Sequence, residues 1–109
     1  MSEQDKSLVF EFKQRLPANL KKILKQILIF GSRSTGKANP DSDLDIAVLV
    51  AEKNPEIERQ FEDIAYQVMW DHDFRPVISL KIFLQSQFEE RVQKGFSFYR
   101  HVQQEGISV

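Results

Sequence analysis

Two short apolar runs separated by a polar loop dominate the middle of the chain. Residues 27–30 form a continuous aliphatic and aromatic run that ends at Gly31, and residues 44–50 form a second run that ends before Pro55. Continuous apolar runs of this length, bounded by turn residues, are typical of strands buried on both faces. Residues 31–42 between them contain two Gly, three Ser, one Thr, one Asn and one Pro, and are predicted to form a loop.

Apolar residues spaced by three and four predict helices outside these runs. The clearest helix spans residues 56–71, because its apolar positions fall on one face. These positions are Ile57, Phe61, Ile64, Ala65, Val68 and Met69. Residues 7–16 are predicted to form a short helix that ends before Pro17, preceded by a flexible N-terminus at residues 1–6. Residues 18–25 are expected to form a turn or a short helix that leads into the first strand.

The C-terminal part of the chain predicts one more strand and further helix. Residues 76–84 are predicted to form the strand, in which successive side chains point to opposite faces. One face carries Val77, Ser79, Lys81 and Phe83, and the other, which should meet helices, carries Ile78, Leu80, Ile82 and Leu84. Residues 85–95 are predicted to form a helix, and residues 96–105 another turn or two. The order α-β-β-α-β-α indicates one small α/β or α+β domain over residues 1–109, with helices flanking a mixed β-sheet.

Composition places the chain among soluble globular proteins. Its 109 residues are 41% hydrophobic, which is enough for one core. The formal net charge of −1 gives no electrostatic case for binding nucleic acid. Without cysteine, the chain has neither disulfides nor thiolate metal sites. No apolar run approaches the roughly 20 residues of a membrane helix, so we expect a cytoplasmic protein without membrane association.

Two aspartates at the start of the second apolar run are the strongest candidates for catalysis. Asp43 and Asp45 are two residues apart, so the period of a strand places both side chains on one face, with Cα atoms about 6–7 Å apart. Neighbouring carboxylates repel each other, and a divalent cation relieves this repulsion. Mg²⁺ commonly takes one or two carboxylates together with phosphate oxygens and water. We therefore predict that Asp43 and Asp45 are catalytic residues that hold Mg²⁺.

The residues that follow the first apolar run suit a phosphate group. Gly31 lets the backbone approach a ligand closely, so that N–H groups can cradle phosphates. The Ser32 hydroxyl adds a hydrogen-bond donor, and Arg33 adds a fixed positive charge. With Ser42, just before Asp43, they form the predicted nucleotide-binding set. A phosphate clamp beside a metal-binding pair is the equipment for phosphoryl or nucleotidyl transfer with ATP as the substrate.

A second motif overlaps this loop. Residues 31–37 match the G-x4-G-K pattern of a phosphate-binding P-loop. A P-loop continues with Ser or Thr and with a helix whose N-terminus holds the phosphates. Ala38 follows here instead, and Pro40 opposes an immediate helix, so a P-loop protein is only a remote alternative. His72 and His101 are isolated in the sequence, and no zinc site is predicted.

The spacing of the loop resembles a known signature. Gly31-Ser32, ten further residues and Asp43-x-Asp45 match the G-S-x10-D-x-D pattern of the DNA polymerase β-like nucleotidyltransferase superfamily. The segments FGSRSTG and SDLDIAVLV, and the tail FEERVQKGFSFYRHVQQEGISV, look like its minimal nucleotidyltransferases of the MNT/HEPN antitoxin type. The resemblance covers the chain from residue 27 to its end. It implies a small mixed sheet with flanking helices, in which the Gly-Ser pair holds nucleotide phosphates and the Asp pair binds Mg²⁺.

The same resemblance implies a partner and a reaction. Many members of this group are antitoxins paired with a helical toxin of the HEPN ribonuclease group. Active members are understood to transfer AMP from ATP to a tyrosine of that toxin. The resemblance therefore implies a protein adenylyltransferase that acts as an antitoxin, with a HEPN-type toxin as its partner. The sequence leaves both a homo-oligomer and a hetero-oligomer open.

One position departs from the pattern of that family. Its members usually carry a third carboxylate on the later strand, facing the site, where it helps to activate the attacking hydroxyl. In this chain that face offers Val77, Ser79 and Lys81, and Asp71 or Asp73 just before the strand are the candidate substitutes. Two hypotheses therefore stand side by side: an active adenylyltransferase, and a module of the same fold that neutralises its toxin by binding alone.

Overall fold

Helices and strands alternate along most of the chain. The structure, a computed structural model, describes residues 3–36 and 41–109, so Lys37 of the overlapping P-loop motif lies outside the described residues. The elements are α1 (Glu3–Arg15), α2 (Ala18–Ile23), β1 (Leu24–Phe30), α3 (Ser32–Thr35), β2 (Leu44–Val50), α4 (Pro55–Asp71), β3 (Ile78–Leu84), α5 (Gln85–Gln93), α6 (Ser97–Glu105) and β4 (Ile107–Ser108). None of the helices among these residues combines the length and the apolar character needed to cross a membrane.

The four strands form one mixed sheet in the order β3-β2-β1-β4. β1 runs antiparallel to both β2 and β4, whereas β2 runs parallel to β3. The two central strands, β1 and β2, contain the two apolar runs of the sequence. Both faces of a central strand are covered, so its side chains on both faces are mostly apolar. The predicted fold class, an α+β arrangement of a mixed sheet flanked by helices, is confirmed.

Helices cover both faces of this sheet. On one face α1 and α4 pack together, and the fully buried rings of Phe12 and Phe61 lie 6.5 Å apart between them. On the other face α5 and α6 contribute Phe88 and Val102 to a smaller core with Leu28. The all-aliphatic face of β3 was expected to meet helices, and Ile78 and Ile82 do lie in the larger core. The opposite face also meets helices, because the Phe83 ring packs on Phe88 with 5.6 Å between ring centroids.

Some predicted boundaries were wrong. α1 begins at Glu3 and not at Ser7, so residues 3–6, which we expected to be a flexible N-terminus, are helical. β1 begins at Leu24, three residues before the predicted start. The helical turn α3 lies inside the predicted loop. The other predicted elements end within two residues of the observed ones.

One strand was not predicted at all. β4 contains two residues, Ile107–Ser108, and pairs with Leu28 and Ile29 of β1. A two-residue segment is too short to show any periodicity, so local sequence cannot reveal it. Its pairing covers part of the edge of β1 that faces away from β2, where backbone groups would otherwise lack strand partners.

Candidate functional site

The Asp45 carboxylate lies on the sheet face covered by α5 and α6. Asp45 pairs with Phe30 of β1 and with Ser79 of β3, and directly paired residues point to the same side of a sheet. Asp45 is partly buried, whereas Asp43, two residues earlier, is exposed. The structure therefore places Asp45 beside the end of β1 and leaves Asp43 exposed to solvent.

Gly31 brings the backbone at the end of β1 against this carboxylate. Its φ of 76° and ψ of −155° belong to the region that side chains rarely adopt. A Cβ atom on Gly31 would lie 2.5 Å from Oδ2 of Asp45, which is closer than such atoms approach. Only glycine therefore lets the end of β1 meet Asp45. The sequence predicted a close approach at this position, and the structure identifies the neighbouring group.

The chain turns into α3 immediately after Gly31. The Gly31 carbonyl oxygen accepts hydrogen bonds from the Ser34 amide at 3.1 Å and from the Ser34 hydroxyl at 2.8 Å. This turn places Ser32 as the first residue of α3, directly beyond the glycine. α3 spans Ser32–Thr35 and is capped by Gly36, so the positions that form the open phosphate loop of a P-loop are a helical turn here.

Arg33 makes its hydrogen bonds with other parts of the protein. Its Nη1 donates to both carboxylate oxygens of Asp5, at 2.9 and 3.2 Å, and its Nε and Nη2 donate to the Ser42 carbonyl oxygen at 3.0 and 2.8 Å. The two side chains are nearly buried, with 12% of Arg33 and 5% of Asp5 exposed. We call this set the Asp5–Arg33–Ser42 clamp. It ties α1 and α3 to the segment that enters β2.

The clamp changes the interpretation of two predicted residues. Arg33 and Ser42 are brought together as predicted, but through the guanidinium and a backbone carbonyl, and their contacts with a nucleotide stay a prediction. Asp5 was missed, because nothing in the polar N-terminal segment indicates a partner 28 residues away. Its low exposure and its ion pair also explain why α1 begins before Ser7.

Two effects raise the pKa of Asp45. Burial is the larger cause, and the negative charge of Asp43 is the second; the positive charge of Lys81 and a hydrogen bond with Ser79 act in the opposite direction. Burial and a like charge both disfavour the ionised carboxylate. A cation at this position would remove both penalties, since it compensates the repulsion and replaces lost solvation.

The donor set fits a hard divalent cation that also binds phosphate oxygens. Mg²⁺ is commonly held by one or two carboxylates, with the remaining positions filled by water and substrate phosphates. Asp43 and Asp45 provide that number of carboxylates. Across residues 3–36 and 41–109, no group of three His, Cys, Asp or Glu side chains able to hold a metal is found.

The structure also locates the residues considered for the third acid. Ser79 is in register with Asp45, so a hydroxyl occupies the position beside this aspartate on β3. Asp71 forms an ion pair with Arg15 of α1 at 2.7 Å. Asp73 lines a cavity of about 680 Å³ together with Arg33. Neither aspartate forms a three-acid cluster with the pair.

Replacing Asp43 by Asn will lower the pKa of Asp45 in the metal-free protein, because it removes the negative charge that helps to raise it. Replacing Lys81 by Gln will raise the same pKa, because it removes a favourable positive charge. A ¹³C NMR titration of the Asp45 carboxyl carbon in the wild type and both variants measures these shifts. Equal pKa values in all three proteins would contradict the electrostatic coupling.

The raised pKa of Asp45 also has a consequence for stability. Its pKa in the folded protein lies above the value of about 3.9 expected for an unfolded chain, so the native state binds more protons over the interval between the two values. The contribution of Asp45 to the free energy of unfolding therefore falls as pH rises through this interval. Denaturant titrations of the metal-free protein should show that contribution shrink in the Asp43→Asn variant.

The comparisons with known proteins identify the class to which this fold and site belong. The sequence matches the family model of the nucleotidyltransferase domain over residues 9–100, which is most of the chain. The chain belongs to this nucleotidyltransferase family. A comparison with curated protein sequences gave no match.

Two solved structures resemble the chain in fold. One is a crystal structure of a toxin–antitoxin with AMP-PNP, with 22% sequence identity and a TM-score of 0.54, covering 95% of this chain and 70% of that one. The other is a crystal structure of a mutant of the toxin–antitoxin MntA-HpeT, with 21% identity and a TM-score of 0.53, covering 96% of this chain and 70% of that one. At these identities the likeness establishes the shared fold. The predicted resemblance to the nucleotidyltransferases is confirmed by the family model, and these two structures confirm the fold.

Proposed function

We propose that this protein transfers AMP from ATP to a protein hydroxyl, a tyrosine of a HEPN-type toxin, and thereby acts as an antitoxin. The observation that carries the proposal is the contact between Gly31 and Asp45, because it joins a backbone suited to phosphate with a carboxylate suited to a metal. Family membership supports nucleotidyl transfer as the type of reaction.

Each predicted site residue has a role in this proposal. Gly31 and Ser32 hold the triphosphate, and Arg33 and Ser42 keep the loop in place beside it. Asp43 and Asp45 would hold Mg²⁺, which, when bound, neutralises phosphate charge and stabilises the leaving group. The raised pKa of Asp45 supports this assignment, since a bound cation would offset the burial and the like-charge repulsion that disfavour the ionised carboxylate.

The proposed reaction is a substitution at the α-phosphorus of ATP. The acceptor oxygen attacks this phosphorus and forms the new P–O bond. The bond between the α-phosphorus and the bridging oxygen to the β-phosphorus breaks, and pyrophosphate leaves. The acceptor hydroxyl proton passes to solvent. The protein contributes orientation and electrostatic stabilisation, which are the main sources of catalysis in reactions of this type.

The partner and the nucleotide are supported by the structural neighbours. Both neighbours are toxin–antitoxin structures, and one of them contains the ATP analogue AMP-PNP. A second candidate function, neutralisation by binding without transfer, is favoured by a specific observation. The β3 residue in register with Asp45 is Ser79, so the position nearest to the pair has no acid to activate a hydroxyl.

Transfer of label from ATP separates the two candidates. We expect the protein, incubated with α-³²P-ATP, Mg²⁺ and purified HEPN-type partner, to label the partner. Asp45→Asn will reduce the rate at least about 100-fold, because it removes a group that organises the transition-state charge. The matched control is Asp63→Asn, which changes an exposed acid on α4 and should leave the rate unchanged.

The outcomes of this assay are distinct. A tight complex that forms without any transfer of label would reject the enzyme and favour neutralisation by binding. Transfer by the Asp45→Asn variant at the wild-type rate would reject the assignment of the metal site while leaving the reaction itself in place.

A further inference from the structure

A small cavity borders the Gly31 end of the candidate site, and Gly31 is the one residue assigned above that lines it. Its volume is about 270 Å³, and its lining comes from the end of β1 and from one face of α6. The lining residues are Phe30, Gly31, Phe98, His101, Val102 and Glu105. We call it the Phe98 cavity.

The Phe98 cavity opens on the same side of the sheet as the Asp45 carboxylate. Phe30, which forms part of its wall, is the direct partner of Asp45 across the two strands. Gly31 lines the cavity and also lies against Asp45. A ligand that fills the cavity would therefore have its other end at the carboxylates, so one elongated ligand could occupy both places.

The walls of the cavity are aromatic. Phe30 is almost completely buried and forms an edge-to-face contact with Phe98, with ring centroids 5.9 Å apart. Phe98 also packs against Phe83 and Tyr99, with ring centroids 6.2 and 5.3 Å apart. Its side chain nevertheless remains 42% exposed. An immobilised aromatic ring with an exposed surface is a platform on which a flat ligand can stack.

The rim of the cavity is polar. His101 and Glu105 lie one helical turn apart on α6, and Phe98 precedes His101 by three residues, so all three fall on one helix face. Both polar side chains are exposed, and neither makes a hydrogen bond or an ion pair with any residue that the structure describes. The imidazole can donate or accept, and the carboxylate accepts.

These features together select the kind of ligand. A flat ring stacks on Phe98, and its polar edge meets His101 and Glu105, which can exchange hydrogen bonds with it. The volume is below the range of roughly 300–1,000 Å³ typical of whole drug-sized ligands, so it suits one ring system. A carboxylate at the rim favours a ring that carries an amino donor.

We propose that the Phe98 cavity receives the nucleobase of the bound nucleotide, stacked on Phe98, with its amino edge at Glu105. This inference rests on the proposed function and deepens it, because it assigns base recognition to α6 and leaves phosphate binding to the loop after β1. Neither task then depends on the other set of side chains.

Two ligands that share the triphosphate test this assignment. ATP also contains the base and the ribose, whereas inorganic tripolyphosphate contains neither. We expect Phe98→Ala to raise the Kd for ATP about 10-fold or more, since base–aromatic stacking corresponds to about 5- to 150-fold in affinity. The Kd for tripolyphosphate should change less than about 2-fold, and Phe98→Tyr, which keeps a ring, should restore binding of ATP.

Phe96 provides the matched control on the same helix terminus. It is an exposed phenylalanine like Phe98, 53% exposed against 42%, but it does not line the cavity. Phe96→Ala should leave the Kd for both ligands unchanged. Isothermal titration calorimetry in the presence of Mg²⁺ measures all of these constants, and circular dichroism checks that each variant is folded.

Failure of this inference differs from failure of the proposed function. If the wild type binds no ATP, both are rejected. If it binds ATP but Phe98→Ala binds as tightly as Phe96→Ala does, only the base assignment is rejected. Equal weakening of ATP and tripolyphosphate by Phe98→Ala would also reject it, because the cavity would then serve the phosphates or the local fold.

Discussion

Alanine at position 31 will reduce ATP binding and label transfer at least about 100-fold. Its Cβ would lie 2.5 Å from Oδ2 of Asp45, so either the carboxylate must turn away or the end of β1 must move. Asp45 is partly buried and lies in the strand paired with the end of β1. Both changes displace a group on which the proposed chemistry depends, and a displacement of about 1 Å can cost about 100-fold in rate.

Gly36 provides a matched control for the backbone part of this effect. Its φ is also 76°, but no atom of the described residues lies within 4 Å of the position where a Cβ would be placed. Gly36→Ala therefore carries the conformational strain alone, about 1–2 kcal/mol. Calorimetric binding of ATP and thermal denaturation of both variants separate strain from collision. Equal loss of ATP binding in the two variants would contradict the importance of the Gly31–Asp45 contact.

Replacing Arg33 by Ala will lower the free energy of unfolding by about 3–5 kcal/mol, because it breaks the nearly buried ion pair between Arg33 and Asp5. This is a large part of the 5–15 kcal/mol that is typical of a domain. The control is Arg59→Ala, which breaks an exposed ion pair with Glu56 and should cost about 1 kcal/mol or less. Urea denaturation followed by circular dichroism measures both changes, and equal losses would contradict the structural role of the clamp.

The Asp5→Ala variant distinguishes two roles of Arg33. It retains the guanidinium but removes the carboxylate that holds it. If Arg33 acts by positioning the loop, Asp5→Ala and Arg33→Ala will weaken ATP binding to a similar extent at temperatures where both are folded. If Arg33 instead contacts phosphate, only Arg33→Ala will weaken it. Binding constants measured at equal folded fractions decide between these two results.

Local patterns were sufficient for most of the secondary structure. β2 has the predicted bounds, Leu44–Val50, because a short apolar run between turn residues is typical of a buried strand. α4 was equally clear, since its apolar positions repeat on one face. Two segments whose secondary structure was missed, residues 3–6 and β4, interact with residues far away in the sequence. Asp5 forms an ion pair with Arg33, and Ile107 pairs with Ile29 of β1.

The candidate site divides in the same way. Spacing in the sequence singled out the Gly31-Ser32 pair and the pair of Asp43 and Asp45. The observed fold brings the two pairs together through the contact between Gly31 and Asp45. The family resemblance indicated that Ser79 or Val77 would stand where a third acid is expected, and the structure shows that Ser79 is the residue in register with Asp45. Spacing gave no indication of Asp5 as the partner of Arg33, nor of His101 and Glu105 beside Gly31, since helix faces acquire neighbours only when they pack.

The sequence by itself therefore determined the class of this protein: two buried strands, and a Gly-Ser to Asp-x-Asp spacing that belongs to nucleotidyltransferases. These features lie within short segments, where the periods of strands and helices fix which residues point together. Only the tertiary structure decided that Arg33 is held by Asp5, that Ser79 is in register with Asp45, and that α6 forms a cavity beside Gly31. Each of these depends on residues far apart in the chain, and their meeting is set by packing across the sheet and not by any local pattern.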